Sequence, residues 1–197
     1  MKFHFYRLLI FLLILALSIG FGFGFDGIAR AVERRTYPMP EAYQGSVSRA
    51  ATEFSIPDSI LWATIKCKSD FSSNALGEGD RVGLMQLSPE EFRQIYESYL
   101  HTPPPDQGMR YDPATSIYCG GALLSALYER YGVWDTVYAA LFAGTEAVDA
   151  WLKDPTYTNA QGMLAEIPDR EVARRVKKMQ KAVDMYRTLY TAPESAK

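Results

Sequence analysis

The stretch "TIKCKSDF" (residues 64–71) decides the fold, together with "GLMQLSPEEF" (residues 83–92) that follows it after a short loop. The first stretch ends a run of apolar residues at helical spacing that begins just after Pro57, a residue that opens helices well. The run predicts a helix over residues 57–69. The Gly-containing segment after it predicts a short loop before the second stretch.

Lys68 is the unusual residue of this helix. At about 100° per residue it falls between Ile60 and Leu61, inside the apolar arc that also holds Ile65. Its side chain is therefore predicted to point toward the core or a cleft, whereas Lys66 points away. Two interpretations stay open, a lysine that lines a cleft and a lysine at a helix end whose stem packs while its head reaches water.

The rest of the chain also has helical periodicity. Five further helices are predicted, over residues 43–54, 89–99, 113–131, 134–152 and 168–190. The segment "HTPPPDQGMRYDP", residues 101–113, is predicted to be a loop, because three consecutive prolines remove backbone donors. With no strand pattern, the fold class is mainly α.

Composition limits both size and partners. The 197 residues are 48% hydrophobic, which is enough for one domain with a core and an appendage. The net charge of −2 argues against nucleic acid as a partner. Cys67 and Cys119 lack metal-ligand spacing, and His4 and His101 are the only histidines, so no metal or other cofactor is predicted.

The N-terminus predicts a membrane anchor. Residues 8–25 run without a charge, a length that nearly spans the hydrocarbon core of a bilayer as a helix. A cleaved signal peptide is the alternative, with Ala29-Arg30-Ala31 as a weak cleavage site. Residues 1–36 are thus interpreted as a cytoplasmic stub, a transmembrane helix and a linker, residues 42–190 as the domain and residues 191–197 as a tail.

The order of motifs in the domain resembles that of the soluble lytic transglycosylase (SLT) family. "KSDF" at 68–71 stands where members have ESxF, and "GLMQLSP" at 83–89 matches their GLMQ followed by a proline. "VYAALFAG" at 137–144 stands where they have an AYNAG box, and "EIPDREVARRV" at 166–176 where they have IPxxETxxYV. The resemblance covers residues 42–190 and implies a lysozyme-like fold.

The resemblance also implies a site, and Lys68 stands in it where members have their catalytic glutamate. That glutamate protonates the glycosidic oxygen of peptidoglycan and then acts as a base while a 1,6-anhydro sugar closes. A lysine ammonium holds its proton too tightly for this step unless burial lowers its pKa. Its positive charge also opposes the oxocarbenium character that develops on the sugar.

Other family positions have changed in the same direction. Leu141-Phe142 replaces the Tyr-Asn of the AYNAG box, and Arg175 stands where a tyrosine lines the members' site, while Glu171 is kept. The resemblance assigns the substrate groove to Ser69, Met85, Gln86, Leu141, Phe142, Glu171 and Arg175. On the last helix the basic residues Arg174, Lys177, Lys178 and Lys181 are predicted to lie on a solvated face.

Three changed positions in one cleft predict a catalytically degenerate protein that binds peptidoglycan glycan strands or proteins of the wall machinery. The first alternative is an active lytic transglycosylase that uses a substitute acid, Glu78, Asp80 or Glu171. The second is a scaffold that binds no sugar because Leu141 and Phe142 fill the groove. The predicted location is the cell membrane, single-pass with the domain outside, or secreted if the anchor is cleaved.

Overall fold

The computed structural model describes residues 28–190, which form two units. The first unit extends through Pro38, and its described part is helical over residues 28–36, here α1. The second unit begins at Met39. The predicted anchor (8–25) and tail (191–197) lie outside the described residues. Within residues 28–190, no helix has the length and apolar character needed to cross a membrane.

The second unit is built from helices. In chain order they are α2 Glu41–Glu53, α3 Asp58–Ser69, α4 Pro89–Gln94, a π-helical turn Ile95–Tyr99, a 3₁₀ helix Gln107–Tyr111, α5 Pro113–Tyr131, α6 Trp134–Ala143, α7 Thr145–Lys153 and α8 Arg170–Tyr190. Between residues 28 and 190, extended pairing is confined to three isolated bridges. The prediction of a mainly α fold is confirmed.

Most predicted helices lie within two residues of those observed, and α5 has the predicted bounds. The single helix predicted over residues 134–152 was wrong. Gly144 has φ +87° and ends α6, and α7 starts at the next residue. The predicted helix 89–99 changes to π geometry at Ile95, and the proline-rich loop contains the 3₁₀ turn.

Helix α3 lies at the centre of the second unit. Seven consecutive residues, from Ser59 to Ile65, are buried, as expected for a helix covered on all sides. It packs against α8 and α2, α6 packs against α8, and α5 packs against both α2 and α6. The Trp62 ring lies 6.4 Å from that of Tyr186 on α8 and 6.1 Å from that of Phe71. The end of α3, with Lys68, thus faces the start of α8.

The loop between α3 and α4 folds tightly because Gly83 allows a close backbone approach. Gly83 has φ +75°, and a Cβ atom there would lie 2.1 Å from the carbonyl oxygen of Arg110. The Arg110 guanidinium in turn donates to the carbonyls of Asp80 (2.6 Å) and Leu87 (3.1 Å). Leu84 is fully buried. This loop carries the chain from α3 to the opposite side of the pocket described below.

Helix α4 begins with a capping box. The Ser88 hydroxyl accepts from the Glu91 N–H (3.2 Å), and the Glu91 carboxylate accepts from the Ser88 N–H (3.0 Å). Replacing Ser88 with alanine leaves one of these donors unpaired, and we expect it to lower the free energy of unfolding by about 1 kcal/mol. Chemical denaturation measures this. Ser88→Thr, which keeps an acceptor oxygen, should lose clearly less, and equal losses would contradict the capping role.

Candidate functional site

The ends of α3 and α6, the start of α8 and the loop after α3 enclose a pocket of about 660 Å³. The residues that line this pocket, called the α3–α8 pocket below, are Cys67, Lys68, Gly77, Glu78, Arg81, Gln86, Leu141, Phe142, Glu171, Arg174, Arg175 and Lys178. Five of these side chains are cationic and two are acidic, so the pocket is basic although the whole chain is not.

Lys68 lies in the last turn of α3, and the helix ends at Asp70, which has left-handed backbone geometry. The Lys68 side chain is partly buried, and its ammonium makes no hydrogen bond or ion pair with any other residue of the described range, 28–190. Burial lowers its pKa to about 8; the nearby Glu91 carboxylate raises the pKa, and the charges of Arg81 and Arg175 lower it. Lys66, two residues earlier, instead pairs with Asp70 at the surface.

Glu91 and Arg81 form an ion pair next to Lys68. The Arg81 guanidinium donates to the Glu91 carboxylate at 2.5 Å and to the carbonyl of Gln86 at 3.1 Å. Burial acts to raise the pKa of Glu91, but the hydrogen bonds from Arg81 and Ser88 and the charges of Lys68 and Arg81 hold that pKa below its ordinary value. Glu91 is therefore an ionised counter-charge for both cations.

Gln86 shapes the loop side of the pocket. It has φ +51°, and its amide donates to the carbonyls of Ala75 (3.0 Å) and Gly83 (2.9 Å). Gly77 packs so close that a Cβ atom there would lie 2.3 Å from the Gln86 side-chain oxygen. The amide of Gln86 thus holds the loop closed and has its NH₂ group directed to protein acceptors.

The α8 wall carries the other charges. The Arg175 guanidinium donates to the Glu171 carboxylate at 2.6 Å, one helical turn away, and Arg174 is 3.9 Å from the same carboxylate. The prediction that Arg174 and Lys178 face away with Lys177 and Lys181 needs correction, because both line the pocket. The physical reason is that the pocket extends past the edge of the buried face of α8, so residues beside that face reach it. The buried face consists of Val172, Val176, Met179, Ala182, Val183 and Tyr186.

Leu141 and Phe142 form the apolar part of the lining. Leu141 is buried and Phe142 partly buried at the end of α6. Both side chains line the pocket, and it stays open beside them with the volume given above.

Two predicted groove residues lie elsewhere. Met85 is 2% exposed and packs against α5, where a Cβ atom on Gly120 would lie 2.0 Å from its terminal methyl carbon. Ser69 does not line the pocket, and its hydroxyl donates to the Ile65 carbonyl within α3. Of the proposed substitute acids, Glu78 and Glu171 line the pocket, whereas Asp80 lines a separate surface depression.

The residues that sequence reasoning missed are Cys67, Gly77, Arg81, Glu91, Arg174 and Lys178. Glu91 left a signal, the Ser-x-x-Glu spacing of a capping box, but that spacing describes only the helix start. Cys67 and Cys119 are free thiols. Burial raises the pKa of Cys67, while Lys178 and Lys66 lower it.

The lowered pKa of Lys68 makes stability depend on pH. Between pH 8 and 10.5 the unfolded chain keeps a proton on Lys68 that the folded chain has lost. The contribution of Lys68 to the free energy of unfolding therefore rises with pH across that window. We expect Lys68→Met to be more stable than the wild type below pH 8, with the difference shrinking toward pH 10.5. Denaturation at pH 7 and pH 10 tests this. Lys66→Met is the matched control, and a pH dependence equal in both variants would contradict the assignment.

The ε-carbon NMR shift of Lys68 provides a direct measurement of the same pKa. A midpoint near 8 is expected, and a midpoint at the ordinary value of 10.5 would show that burial has no effect on this ammonium.

Comparison with known proteins fits this architecture. The family model "Transglycosylase SLT domain" matches residues 45–163. Lytic transglycosylase Slt from Pseudomonas aeruginosa, solved as an inactive glutamate-to-glutamine mutant, superimposes with a TM-score of 0.70 at 25% identity, over 80% of this chain and 25% of that chain. The 70 kDa soluble lytic transglycosylase of Escherichia coli gives a TM-score of 0.72 at 23% identity, over 81% of this chain and 26% of that chain.

The 70 kDa soluble lytic transglycosylase has also been solved in complex with bulgecin A, and this complex has the same TM-score, identity and coverage. The present chain thus spans about a quarter of the length of these proteins. The family match covers more than half of the chain, and the helical, lysozyme-like fold agrees with it. The chain belongs to the transglycosylase SLT domain family.

Proposed function

We propose that this protein binds peptidoglycan glycan strands in the α3–α8 pocket and does not cleave them. The observation that carries the proposal is Lys68, a cation inside an open pocket at the position where the family motif has its acid. The family membership supports a role connected with peptidoglycan. The absence of cleavage follows from the chemistry of the residues in the pocket.

The charge around Lys68 argues against acid catalysis of glycoside cleavage. With a pKa of about 8, the Lys68 ammonium matches neutral pH better than an ordinary lysine does. However, Lys68, Arg81 and Arg175 together place positive charge where the sugar would itself become positive. Loss of a general acid typically costs about 10²- to 10⁴-fold in rate, and the added repulsion acts in the same direction.

The three substitute acids are poor replacements. General acids of glycosidases lie in surroundings that keep them protonated, typically buried and apolar. Glu171 is exposed and paired with Arg175, Glu78 is exposed on the loop, and Asp80 lies outside the pocket. The Glu91 carboxylate lies near enough to Lys68 to affect its pKa, but the lowered pKa of Glu91 itself keeps this acid ionised. Rescue of cleavage by another acid is therefore not supported.

The open pocket favours glycan over a scaffold without a sugar site. A volume of about 660 Å³ lies in the range of small-molecule sites, and Leu141 and Phe142 do not fill it. Their apolar surface beside charged groups suits an amphipathic sugar ring.

We further propose that residues 8–25 anchor the protein in the cell membrane with the domain outside, because their uncharged length suits a membrane helix.

Incubating the full chain with purified peptidoglycan tests the proposal. Co-sedimentation with the insoluble polymer is expected, and no anhydro-muropeptides should appear in the supernatant by liquid chromatography. Release of anhydro products would overturn the absence of cleavage. Failure to sediment would overturn glycan binding and favour a protein partner of the wall machinery.

Lys68→Glu adds a sharper test of catalytic loss. We expect this variant to stay inactive, because Leu141, Phe142 and Arg175 still differ from the family motif. Lys66→Glu makes the same charge change outside the pocket and serves as the control. Cleavage by Lys68→Glu alone would show that the rest of the cleft is competent.

A further inference from the structure

The α3–α8 pocket concentrates positive charge in a protein whose net charge is −2. Its cationic side chains come from three parts of the fold: Lys68 from α3, Arg81 from the loop, and Arg174, Arg175 and Lys178 from α8. The acidic side chains in the lining are Glu78 and Glu171. Charges brought together from separate elements into one cavity raise the local concentration of an oppositely charged ligand.

These cationic side chains differ in the hydrogen bonds and ion pairs that they already make within the protein. Arg81 is held by Glu91 and the Gln86 carbonyl, and Arg175 is held by Glu171. Arg174 has a side chain that is 80% exposed and reaches Glu171 only at 3.9 Å. The α8 side of the pocket therefore keeps donor capacity for a ligand.

Lys68 and Lys178 both line the pocket without a hydrogen bond or ion pair to residues 28–190, and Lys68 is the more buried of the two. An ammonium has three donors, and that of Lys68 has no acceptor within hydrogen-bond distance among residues 28–190. No buried side-chain nitrogen or oxygen in this described part lacks a partner, so the ammonium must open into the pocket. Glu91 compensates its charge from nearby while its carboxylate accepts hydrogen bonds from Arg81 and Ser88.

We propose that the α3–α8 pocket is an oxyanion site, in which the Lys68 ammonium binds a carboxylate or phosphate group carried by a wall glycan polymer. The proposal rests on the proposed glycan binding and names the chemical group that is recognised. The carboxylate would come from the peptide stem of peptidoglycan, or from the lactyl group of a sugar without a stem, and the phosphate from a phosphodiester-linked wall polymer. Charge-assisted hydrogen bonds to such oxygens are stronger than neutral ones.

The groups that face Lys68 predict how binding depends on pH. They are Glu91 from α4, Arg81 from the loop and Arg175 from α8. A bound oxyanion adds negative charge and raises the pKa of Lys68 above about 8, so by linkage the anion binds more tightly to the charged lysine. Affinity should fall as pH rises above 8, where inorganic phosphate no longer changes its own charge appreciably.

Calorimetric titration of the full chain with three probes tests the site. Inorganic phosphate reports phosphate recognition, and N-acetylmuramic acid compared with N-acetylglucosamine isolates one carboxylate on the same sugar. Tighter binding of phosphate supports a phosphodiester polymer, and a preference for N-acetylmuramic acid supports peptidoglycan. Lys68→Met should weaken binding of the preferred anion about tenfold or more, as expected for loss of one charged hydrogen bond. Lys66→Met, two residues away and outside the pocket, should bind like the wild type.

The proposal fails if neither anion binds, if Lys68→Met binds as the wild type does, or if Lys66→Met is equally weakened. Circular dichroism checks that the variants fold. The loss of affinity between pH 8 and 10.5 is measured on the unmutated chain, so a folding defect in a variant does not remove the test. If Lys68→Met still sediments with peptidoglycan like the wild type and the anions do not bind, the oxyanion site is wrong while the proposed glycan binding stands.

Discussion

Replacing Gly83 with alanine is expected to lower the free energy of unfolding by roughly 3 to 5 kcal/mol. Two effects add. A φ of +75° strains any residue with a Cβ atom, and that atom would lie 2.1 Å from the Arg110 carbonyl oxygen, which belongs to the backbone and has little freedom to move. The loop would have to shift away from the 3₁₀ helix, and Gln86 would shift with it. Chemical denaturation measures the loss.

Gly79 is the matched control in the same loop. It also has positive φ, +67°, but no atom lies within 4 Å of where its Cβ would be. Gly79→Ala should therefore show only the backbone strain, about 1 to 2 kcal/mol. The difference between the two variants isolates the close approach to Arg110. Similar losses in both would show that the loop relaxes and that the approach is unimportant.

Replacing Glu91 with alanine is expected to cost about 2 to 3 kcal/mol of stability. The change removes the counter-charge of two partly buried cations, Lys68 and Arg81, and one half of the capping box at Ser88. Removing one partner of a buried pair leaves the other charge without compensation. We place the value below that of a fully buried pair because 30% of the Glu91 side chain is exposed. Urea denaturation at pH 7 measures it.

Glu91→Gln separates charge from shape, since glutamine can still close a capping box. The lowered pKa of Glu91 gives the wild type a contribution that is present above the unfolded pKa of 4.5 and is lost as pH falls through the folded value. Glu91→Gln should lack this acid-sensitive part and should also lower the pKa of Lys68 below 8. Glu90→Ala, on the exposed face of α4, should change neither quantity. An unchanged Lys68 pKa in Glu91→Gln would contradict the electrostatic link.

The helices and the position of Lys68 were predictable from local patterns. The apolar arc of residues 57–69 predicted that Lys68 points toward the core or a cleft and left open a lysine at a helix end. In the structure Lys68 lines the pocket. The break at Gly144 was not predicted, because the apolar periodicity continues across this glycine, whose φ of +87° ends α6. Met85 was assigned to the groove by resemblance, but Gly120 on α5 leaves space that draws it into the core.

The sequence by itself determined the helical class and the order of the family motifs, with Lys68 in the first of them, because these features are local or ordered along the chain. Only the tertiary structure decided that Glu91, Arg81, Arg174 and Lys178 act on the same pocket. These residues come from a loop and two helices far apart in sequence, and periodicity on one helix does not specify what another helix places opposite. The charge of the pocket, and with it the oxyanion proposed to bind there, is a property of that assembly.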